Sequence, residues 1–349
     1  MKKKTILIIA FISLILLSFN SYSQKSELKV GCIAFYNLEN LFDTIVDPDT
    51  TKILQEDFTP YSTKNWNTEK YNKKLANMSD VISQIGTEFV PTGPAILGVS
   101  EIENRQVLED LINTPKLKPL NYKIVHFDSP DRRGVDVGLL YQPKYFTVTN
   151  SKAIYLDMGP KGGYTRDILL VSGLFDGEPM HFMVNHWSSR RGGEERSAPR
   201  RNKAAEVARH HIDSILKDDP DAKIILMGDL NDNPTNESVK VYLGAEGKER
   251  KVKDGKMFNP MEAYYRKGIG TGAYQDTWHL FDQLIITEGL LGDDRSTYKF
   301  FDARIFSKPF MIQNTGRFEG YPLRGFVGDT FQGGYSDHFP VYLFLVKNK

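Results

Sequence analysis

The sequence predicts an α/β fold, in which short β-strands alternate with amphipathic helices. Two features indicate this class: apolar segments of strand length recur along most of the chain, and segments with helical periodicity separate some of them. With 349 residues, of which 40% are hydrophobic and 26% charged, the composition is that of a soluble globular protein. This composition excludes a disordered chain, a collagen-like chain and a protein with several membrane spans.

The first 23 residues have the pattern of a secretory signal peptide. Three lysines precede an apolar run from Thr5 to Phe19, and small polar residues follow it. The run is short for a membrane span, so we expect cleavage after Ser23; a retained membrane anchor is the alternative. Cleavage leaves 42 basic and 44 acidic residues, a net charge of −2. We therefore predict an exported protein, periplasmic or extracellular, without a stable membrane span and without the strongly basic balance of a nucleic-acid packaging protein.

Nine segments beyond the signal peptide have the composition of β-strands, with many β-branched and aromatic residues. The predicted strands are Lys29–Tyr36, Ala95–Val99, Tyr122–Phe127, Val135–Tyr141, Ile168–Phe175, His181–Asn185, Lys223–Met227, Asp282–Thr287 and Pro340–Val346. The only cysteine is Cys32, which excludes an internal disulfide and a cysteine-based zinc site.

Two amphipathic helices are marked by the spacing of their apolar residues. The first has its apolar residues at intervals of four and three, at Tyr71, Leu75, Met78, Ile82 and Ile85. The second is predicted from Pro199, a favourable first-turn residue, to Leu216.

Three segments rich in Gly, Pro, Asp and Lys separate the predicted elements, at residues 43–63, 244–272 and 292–334. Each lies between predicted strands, so we interpret them as long surface loops and not as domain boundaries. The chain contains no internal repeat and no low-complexity tract. We therefore predict one domain, residues 24–349.

Acidic, amide and histidine side chains stand where several predicted strands begin or end. These positions are Asn37, Glu39, Glu101, His186, Asp229, Asn231, Asp282, Asp337 and His338. Strand ends that share one edge of a sheet can bring such groups into a single pocket on a rigid support. Carboxylates and amides together with His, but without Cys, favour a hard cation such as Mg²⁺ or Mn²⁺.

Each of these residues alone also has an ordinary structural interpretation. Glu101 could be a solvated loop residue or a helix cap, and His338 a surface histidine. Residues 229–233 resemble the start of an EF-hand loop, but Pro234 replaces the required glycine and Lys240 the bidentate glutamate. Their combination is therefore more informative than any single position.

The order of these residues resembles that of the endonuclease/exonuclease/phosphatase superfamily, which includes pancreatic deoxyribonuclease, apurinic endonucleases, inositol polyphosphate 5-phosphatases and neutral sphingomyelinases. The most specific motifs are Gly228–Asn231 and Ser336–Pro340, and the resemblance extends from about Lys29 to Leu345. The segments 35–43 and 185–190 look like those of an exported, deoxyribonuclease-like bacterial branch. The resemblance implies a four-layer α/β sandwich, with two mixed β-sheets packed face to face and helices outside.

The resemblance also implies a metal site and a phosphate site. Glu101 would be the principal ligand of Mg²⁺ or Mn²⁺, with Ca²⁺ also allowed, and Glu39 and Asp337 would help directly or through water. Asn37 and Asn231 would hold the phosphate and the attacking water.

The same resemblance assigns the catalytic groups. Asp229 would orient or deprotonate the water, and His186 would contact the phosphate or the leaving group. His338 would donate a hydrogen bond to a phosphoryl oxygen, with its ring oriented by Asp282. General chemistry supports these roles, since attack on an anionic phosphodiester requires charge stabilisation and an aligned nucleophile.

A cluster of arginines follows His186. Two of its members, Arg190 and Arg191, are predicted to bind the substrate phosphate. The alternative is a solvated charged loop, because Glu194 and Glu195 lie within it. Residues 132, 133 and 166 are weaker candidates of the same type.

The sequence therefore predicts a secreted, monomeric, divalent-metal-dependent phosphoesterase. The leading hypothesis is an endonuclease or exonuclease that hydrolyses nucleic-acid phosphodiester bonds by in-line attack of water. The alternatives are a phosphatase or a sphingomyelinase-like lipid phosphodiesterase on the same fold, and a non-catalytic binding protein.

Overall fold

The computed structural model describes residues 27–49, 51–159 and 163–349. The predicted signal peptide, residues 1–23, lies outside these ranges, so its cleavage stays a prediction. Within the same ranges, no helix combines the length and the apolar character that crossing a membrane requires.

Strands and α-helices alternate along the described ranges. The strands are β1 (Leu28–Leu41), β2 (Ile96–Ile102), β3 (Lys123–His126), β4 (Asp136–Tyr141), β5 (Phe146–Ile154), β6 (Ile168–Phe175), β7 (Glu178–His186), β8 (Ile224–Asp229), β9 (Ala245–Glu246), β10 (Met257–Phe258), β11 (Gly272–Tyr274), β12 (Thr277–His279), β13 (Asp282–Thr287), β14 (Lys299–Ile305), β15 (Phe326–Val327), β16 (Thr330–Phe331) and β17 (Val341–Asn348). The α-helices are α1 (Thr68–Ile82), α2 (Arg105–Ile112), α3 (Glu194–Asp218) and α4 (Met261–Tyr265).

The strands form two large sheets and two small two-stranded ones. The first large sheet has the order β14-β17-β1-β2-β4-β3, and the second has the order β5-β6-β7-β8-β13-β10-β9. Both sheets are mixed, because β1 and β2 run parallel, as do β7 and β8, whereas β1 is antiparallel to β17 and β8 to β13.

The two large sheets pack face to face. Ile33 and Phe35 of β1 share one buried cluster with Met227 of β8 and Leu284 of β13. Because side chains alternate along a strand, Ala34 belongs instead to the cluster formed with α1 and α2 on the outer face of the first sheet. Helix α3 covers the outer face of the second sheet. The predicted four-layer sandwich with helices outside is therefore confirmed.

Helix α1 agrees with the predicted apolar spacing. The predicted positions that lie within it are all buried, namely Tyr71, Leu75, Met78 and Ile82. The helix begins after Asn67, whose side chain accepts a hydrogen bond from the backbone N–H of Lys70 at 3.1 Å. It ends before Ile85, which is buried beyond the last turn.

Helix α3 begins earlier than predicted, because Pro199 lies inside it and not in its first turn. Pro199 lacks the N–H that would bond the preceding turn, and side chains bond carbonyls near the start of the helix instead. Ser197 Oγ donates to the carbonyl of Gly193 at 2.7 Å, and Arg201 Nη2 donates to that of Glu194 at 3.1 Å. These side-chain bonds reinforce the first turn of the helix, although neither reaches the carbonyl of Glu195, four residues before the proline.

Two of the predicted long loops contain regular structure. Residues 292–334 include β14, which pairs with β17 at the edge of the first sheet, and residues 244–272 include β9, β10 and α4. The edge strand β5 was also missed. In β5 and β14 most side chains are half-buried or exposed, so their sequences carry a weak apolar signal.

Gly228 permits the close approach of β7 and β8 next to the strand ends that carry polar residues. It pairs with Asn185 in the parallel ladder. A Cβ atom at position 228 would lie 2.2 Å from the backbone oxygen of Asn185 and 2.8 Å from its carbonyl carbon. Only a shift of one strand backbone could relieve that overlap.

We expect Gly228→Ala to lower the free energy of unfolding by about 3 kcal/mol or more, because backbone atoms would have to move. The control is Gly98→Ala, where the added Cβ would meet the flexible Sδ atom of Met227 at 2.5 Å. This second change should cost about 1–2 kcal/mol. Urea unfolding of both variants measures the difference, and equal small losses would contradict the tight β7–β8 contact.

Candidate active site

Strand ends from both large sheets meet at one edge of the sandwich. Asn37 in β1 lies opposite Ser100 in the parallel ladder, one residue before Glu101. In the second sheet, Asp229 at the end of β8 pairs with His186 on one side and with Asp282 on the other. The two sheets therefore deliver their polar side chains to the same place.

Left-handed backbone turns orient several of these side chains. Glu39, Asn40, Glu101 and Asn231 have φ values of 48°, 54°, 59° and 50°, which non-glycine residues rarely adopt. The β1–β2 and β2–β4 ladders also change register here, as β-bulges beside active sites commonly do. Such strained positions persist where surrounding contacts hold them, and they cluster at functional sites.

A fully buried amide joins the two principal carboxylates. Asn37 Nδ2 donates to Glu101 Oε1 at 3.2 Å and to Asp229 Oδ2 at 3.1 Å. The backbone N–H of Asn40 donates to Glu101 Oε2 at 3.0 Å, and that of Asn231 donates to Asp229 Oδ1 at 2.9 Å. Both carboxylates are thus held in defined orientations.

Glu101, His186 and Asp229 could together hold a metal ion, since their ligand atoms all lie within 4.8 Å of one another. His186 Nε2 is 3.8 Å from Glu101 Oε1 and 3.6 Å from Asp229 Oδ2, beyond hydrogen-bond distance. Burial and the nearby Arg166 lower the pKa of His186 well below its ordinary value. The imidazole is therefore neutral at neutral pH. Glu101 is the member of this group that is also a predicted metal ligand, whereas His186 and Asp229 are predicted to act on the phosphate and on the attacking water.

Asp229 has the properties of a proton acceptor. Burial raises its pKa to about 7, and the neighbouring carboxylates of Asp282 and Glu101 act in the same direction, against the opposing effect of His338. A carboxylate that titrates near neutral pH can take and release a proton during a reaction.

His338 and Asp282 lie in direct contact, the arrangement that the family resemblance implies. His338 Nδ1 is 2.7 Å from Asp282 Oδ2, and Asp282 is completely buried. Burial alone would lower the pKa of His338, but the Asp282 carboxylate reverses this effect and raises it well above its ordinary value. The ring is therefore a cationic donor, and its Nε2 lies 4.0 Å from Asp229 Oδ2.

Glu39 and Asp337 are the predicted helper ligands of the metal. Each of them contacts residues outside the group formed by Glu101, His186 and Asp229. Glu39 Oε2 accepts from the backbone N–H of Gly325 at 2.6 Å and lies 3.4 Å from the buried Lys74 Nζ. Burial raises the pKa of Glu39 to about 7. Asp337 Oδ2 lies 3.4 Å from Arg324 Nη2. Lys74 was not predicted from the sequence, because it lies on helix α1 and belongs to no motif.

Arg190 is engaged in contacts within the protein. Its Nε donates to the backbone oxygen of Asn231 at 2.9 Å, and its Nη2 donates to Asp232 Oδ1 at 3.0 Å. A third nitrogen, Nη1, pairs with Glu194. Arg190 therefore supports the turn at Asn231. Arg191, the other residue predicted to bind the substrate phosphate, is exposed.

Arg166 is the buried support behind His186. Its Nε donates to the backbone oxygen of His186 at 3.1 Å, and its Nη2 to that of Trp187 at 2.5 Å. Its Nη1 pairs with Asp131 Oδ2 at 2.9 Å. Arg166 was predicted only as a weaker substrate-binding candidate, and its burial could not be read from the sequence.

The edge of the two packed sheets thus combines carboxylates, a neutral imidazole and a cationic His–Asp pair. These groups are suited to the hydrolysis of phosphoesters. The sequence model of the Endonuclease/Exonuclease/phosphatase family matches residues 32–347. This match covers nearly the whole chain, and the chain therefore belongs to that family. No match was found among curated proteins.

Solved structures agree with this fold. The D. rerio TDP2 structure with a single-strand DNA product is 14% identical, with a TM-score of 0.52 covering 91% of this chain and 99% of that one. An endonuclease/exonuclease/phosphatase family protein from Bacteroides thetaiotaomicron is 16% identical, with a TM-score of 0.52 and coverages of 93% and 100%. A mannosyl-6-phosphatase from the same organism is 15% identical, with a TM-score of 0.53 and coverages of 90% and 99%.

Family membership defines the class of enzyme. Members of this family are metal-dependent phosphoester hydrolases, and this chain is such an enzyme.

We expect Asp282→Asn to lower the pKa of the His338 imidazole markedly, because the amide cannot stabilise the ring cation. The pair stabilises the fold fully below the ordinary histidine pKa, and this contribution is lost as pH rises through the raised folded pKa. NMR titration of the metal-free protein measures the ring directly, with the exposed His210 as internal control. An unchanged His338 titration would contradict the pairing.

Proposed function

We propose that this protein is an exported, monomeric phosphodiesterase that hydrolyses nucleic acid with the aid of Mg²⁺ or Mn²⁺. The observation that carries the proposal is the oriented His338–Asp282 pair facing the Asp229 and Glu101 carboxylates across the end of the sandwich. This arrangement supplies a donor for the phosphoryl oxygens and an acceptor for the proton of water at one site.

Glu101 would be the principal metal ligand, with Glu39 and Asp337 contributing directly or through water. A bound divalent ion supplies charge neutralisation at the phosphoryl oxygens and lowers the pKa of water. The hydrogen bonds that Glu101 accepts from Asn37 and Asn40 hold its carboxylate in place before substrate binds.

Asp229 would accept the proton of the attacking water. Its pKa near 7 matches this task at neutral pH. Asn231, whose backbone N–H orients Asp229 and whose Nδ2 donates to the backbone oxygen of Trp187 at 3.0 Å, would help to position the water and the phosphate.

His338 would donate its Nε2 proton in a hydrogen bond to a phosphoryl oxygen and stabilise the charge that develops there. Asp282 is a positioning residue, since it holds Nδ1 and stabilises the ring cation. The neutral His186 would contact the phosphate or the leaving group from the opposite side of Asp229.

Two structural relatives bear on the substrate. The TDP2 structure contains a single-strand DNA product, which supports nucleic acid, whereas the mannosyl-6-phosphatase favours a phosphomonoester as the second candidate. We favour the diester because arginines surround the His186 side of the site, where further phosphates of a chain would lie.

Metal removal and loss of Glu101 test the reaction. Excess chelator should abolish hydrolysis of plasmid DNA, RNA or a chromogenic phosphodiester, and Glu101→Gln should reduce kcat by about 10³-fold with the fold intact. Glu109→Gln, on the exposed face of α2, is the matched control and should be active. Full turnover in excess chelator would contradict the metal-dependent mechanism, and activity restricted to phosphomonoesters would favour the second candidate.

Export has an independent test. Expression of the full chain in a host that secretes proteins should yield a mature protein that begins near Gln24, as intact mass or N-terminal sequencing would show. Replacement of the apolar residues at 8 and 9 by Asp should block this processing. A mature protein that still begins at Met1 would favour a retained anchor.

A further inference from the structure

A cavity of about 540 Å³ adjoins the candidate active site on the side of His186. Arg166 connects the two, since it lines this cavity and its Nε donates to the backbone oxygen of His186 at 3.1 Å. No residue to which a catalytic role is proposed above lines this cavity.

The cavity is strongly basic. Its lining includes six arginines and a single acid, Asp131. The arginines are Arg132, Arg133, Arg166, Arg191, Arg196 and Arg200. Asp131 is already committed, because it pairs with Arg166 at 2.9 Å and with Arg133 at 3.3 Å. Within the described ranges, Arg191 and Arg196 form no ion pair, so these two guanidinium groups are available to an anionic ligand.

One donor of the cavity lacks an acceptor. Arg133 Nη2 is buried and has no hydrogen-bond partner in the described part of the chain. A buried donor without a partner costs about 1–3 kcal/mol, which an incoming acceptor would recover. Arg133 is also close enough to His186 to lower the pKa of that imidazole, so its guanidinium lies near the catalytic centre.

The chemistry of the lining selects a phosphate group. Planar guanidinium groups bind phosphate oxygens through pairs of parallel hydrogen bonds. For this reason arginine suits phosphate better than the compact ammonium group of lysine does. The start of helix α3 contributes to the same lining through Gly192, Arg196 and Ser197, and a helix N-terminus favours a negative charge. Several arginines around one small cavity suit a doubly charged or polyanionic ligand better than a single carboxylate.

We propose that this arginine-lined cavity binds a second phosphate group of the substrate, next to the phosphate that is hydrolysed. The inference rests on the proposed function and extends it, because it makes substrates with two neighbouring phosphates the preferred class. The second phosphate has two possible sources, an internal phosphodiester of a longer strand or a terminal phosphate monoester.

Four short substrates separate these sources. They are the thymidine dinucleotide with one phosphodiester, the same dinucleotide with a 5′-terminal phosphate, the same with a 3′-terminal phosphate, and the trinucleotide. We expect at least one of the last three to have a KM about tenfold or more below that of the first. The substrate that shows this gain identifies the source and the direction of the chain.

The variant Arg191→Gln/Arg196→Gln removes two exposed charges of the cavity. It should raise the KM of the favoured substrate about tenfold, and by a clearly larger factor than the KM of the one-phosphate dinucleotide. The salt dependence of the favoured substrate should also become weaker. The matched control is Arg250→Gln/Arg295→Gln, which removes the same charge outside the cavity and should leave all four substrates unaffected.

Calorimetric binding of the trinucleotide in excess chelator gives a readout that does not require turnover. Weaker binding by Arg191→Gln/Arg196→Gln than by the control supports the cavity, even if no substrate is hydrolysed and the proposed function fails. If all four substrates are hydrolysed with equal KM values that the variant does not change, the proposal of a second phosphate in the cavity is wrong, whereas the proposed function stands. If the trinucleotide does not bind and none of the four substrates is hydrolysed, both the cavity proposal and the proposed function are wrong.

Discussion

The hydrogen bonds of Asn37 join the two sheets at the candidate active site. Its amide links Glu101 of the first sheet to Asp229 of the second, and its backbone oxygen accepts from Ser336 Oγ at 2.7 Å. The same serine Oγ accepts from the backbone N–H of His338 at 3.1 Å. One buried residue therefore ties two carboxylates and His338 to a common frame, so that their relative positions follow from the packing of the sandwich.

This frame holds charged groups that would be costly elsewhere in a protein interior. Asp229 and Asp282 are buried within a few ångströms of each other in adjacent strands, and each is stabilised by His338. Burial raises the pKa of Asp229 to about 7, and the Asp282 carboxylate raises that of His338 well above its ordinary value, so both groups hold protons more readily than they would in water. The rigid strands keep the groups together despite the cost of burying them.

Much of the fold was predictable because its central strands are apolar on both faces and its helix α1 is apolar on one. Edge strands β5 and β14 escaped prediction because solvent reaches one of their faces and polar residues are tolerated there. The start of α3 was placed too late because the side chains of Ser197 and Arg201 bond carbonyls near the start of the helix. These contacts depend on the folded loop and leave no periodic signal.

The polar residues at the strand ends, together with the family resemblance of their order, predicted a common pocket, because strand ends at the same edge of the sandwich converge. The functions of adjacent arginines were not predictable in the same way. Arg190 and Arg191 are neighbours in sequence, yet the first is held by Asn231, Asp232 and Glu194 and the second faces an arginine-lined cavity. Whether a charge supports the protein or is available to a ligand depends on the partners that distant segments bring to it. Packing alone determines those partners, and with them the burial that sets each pKa.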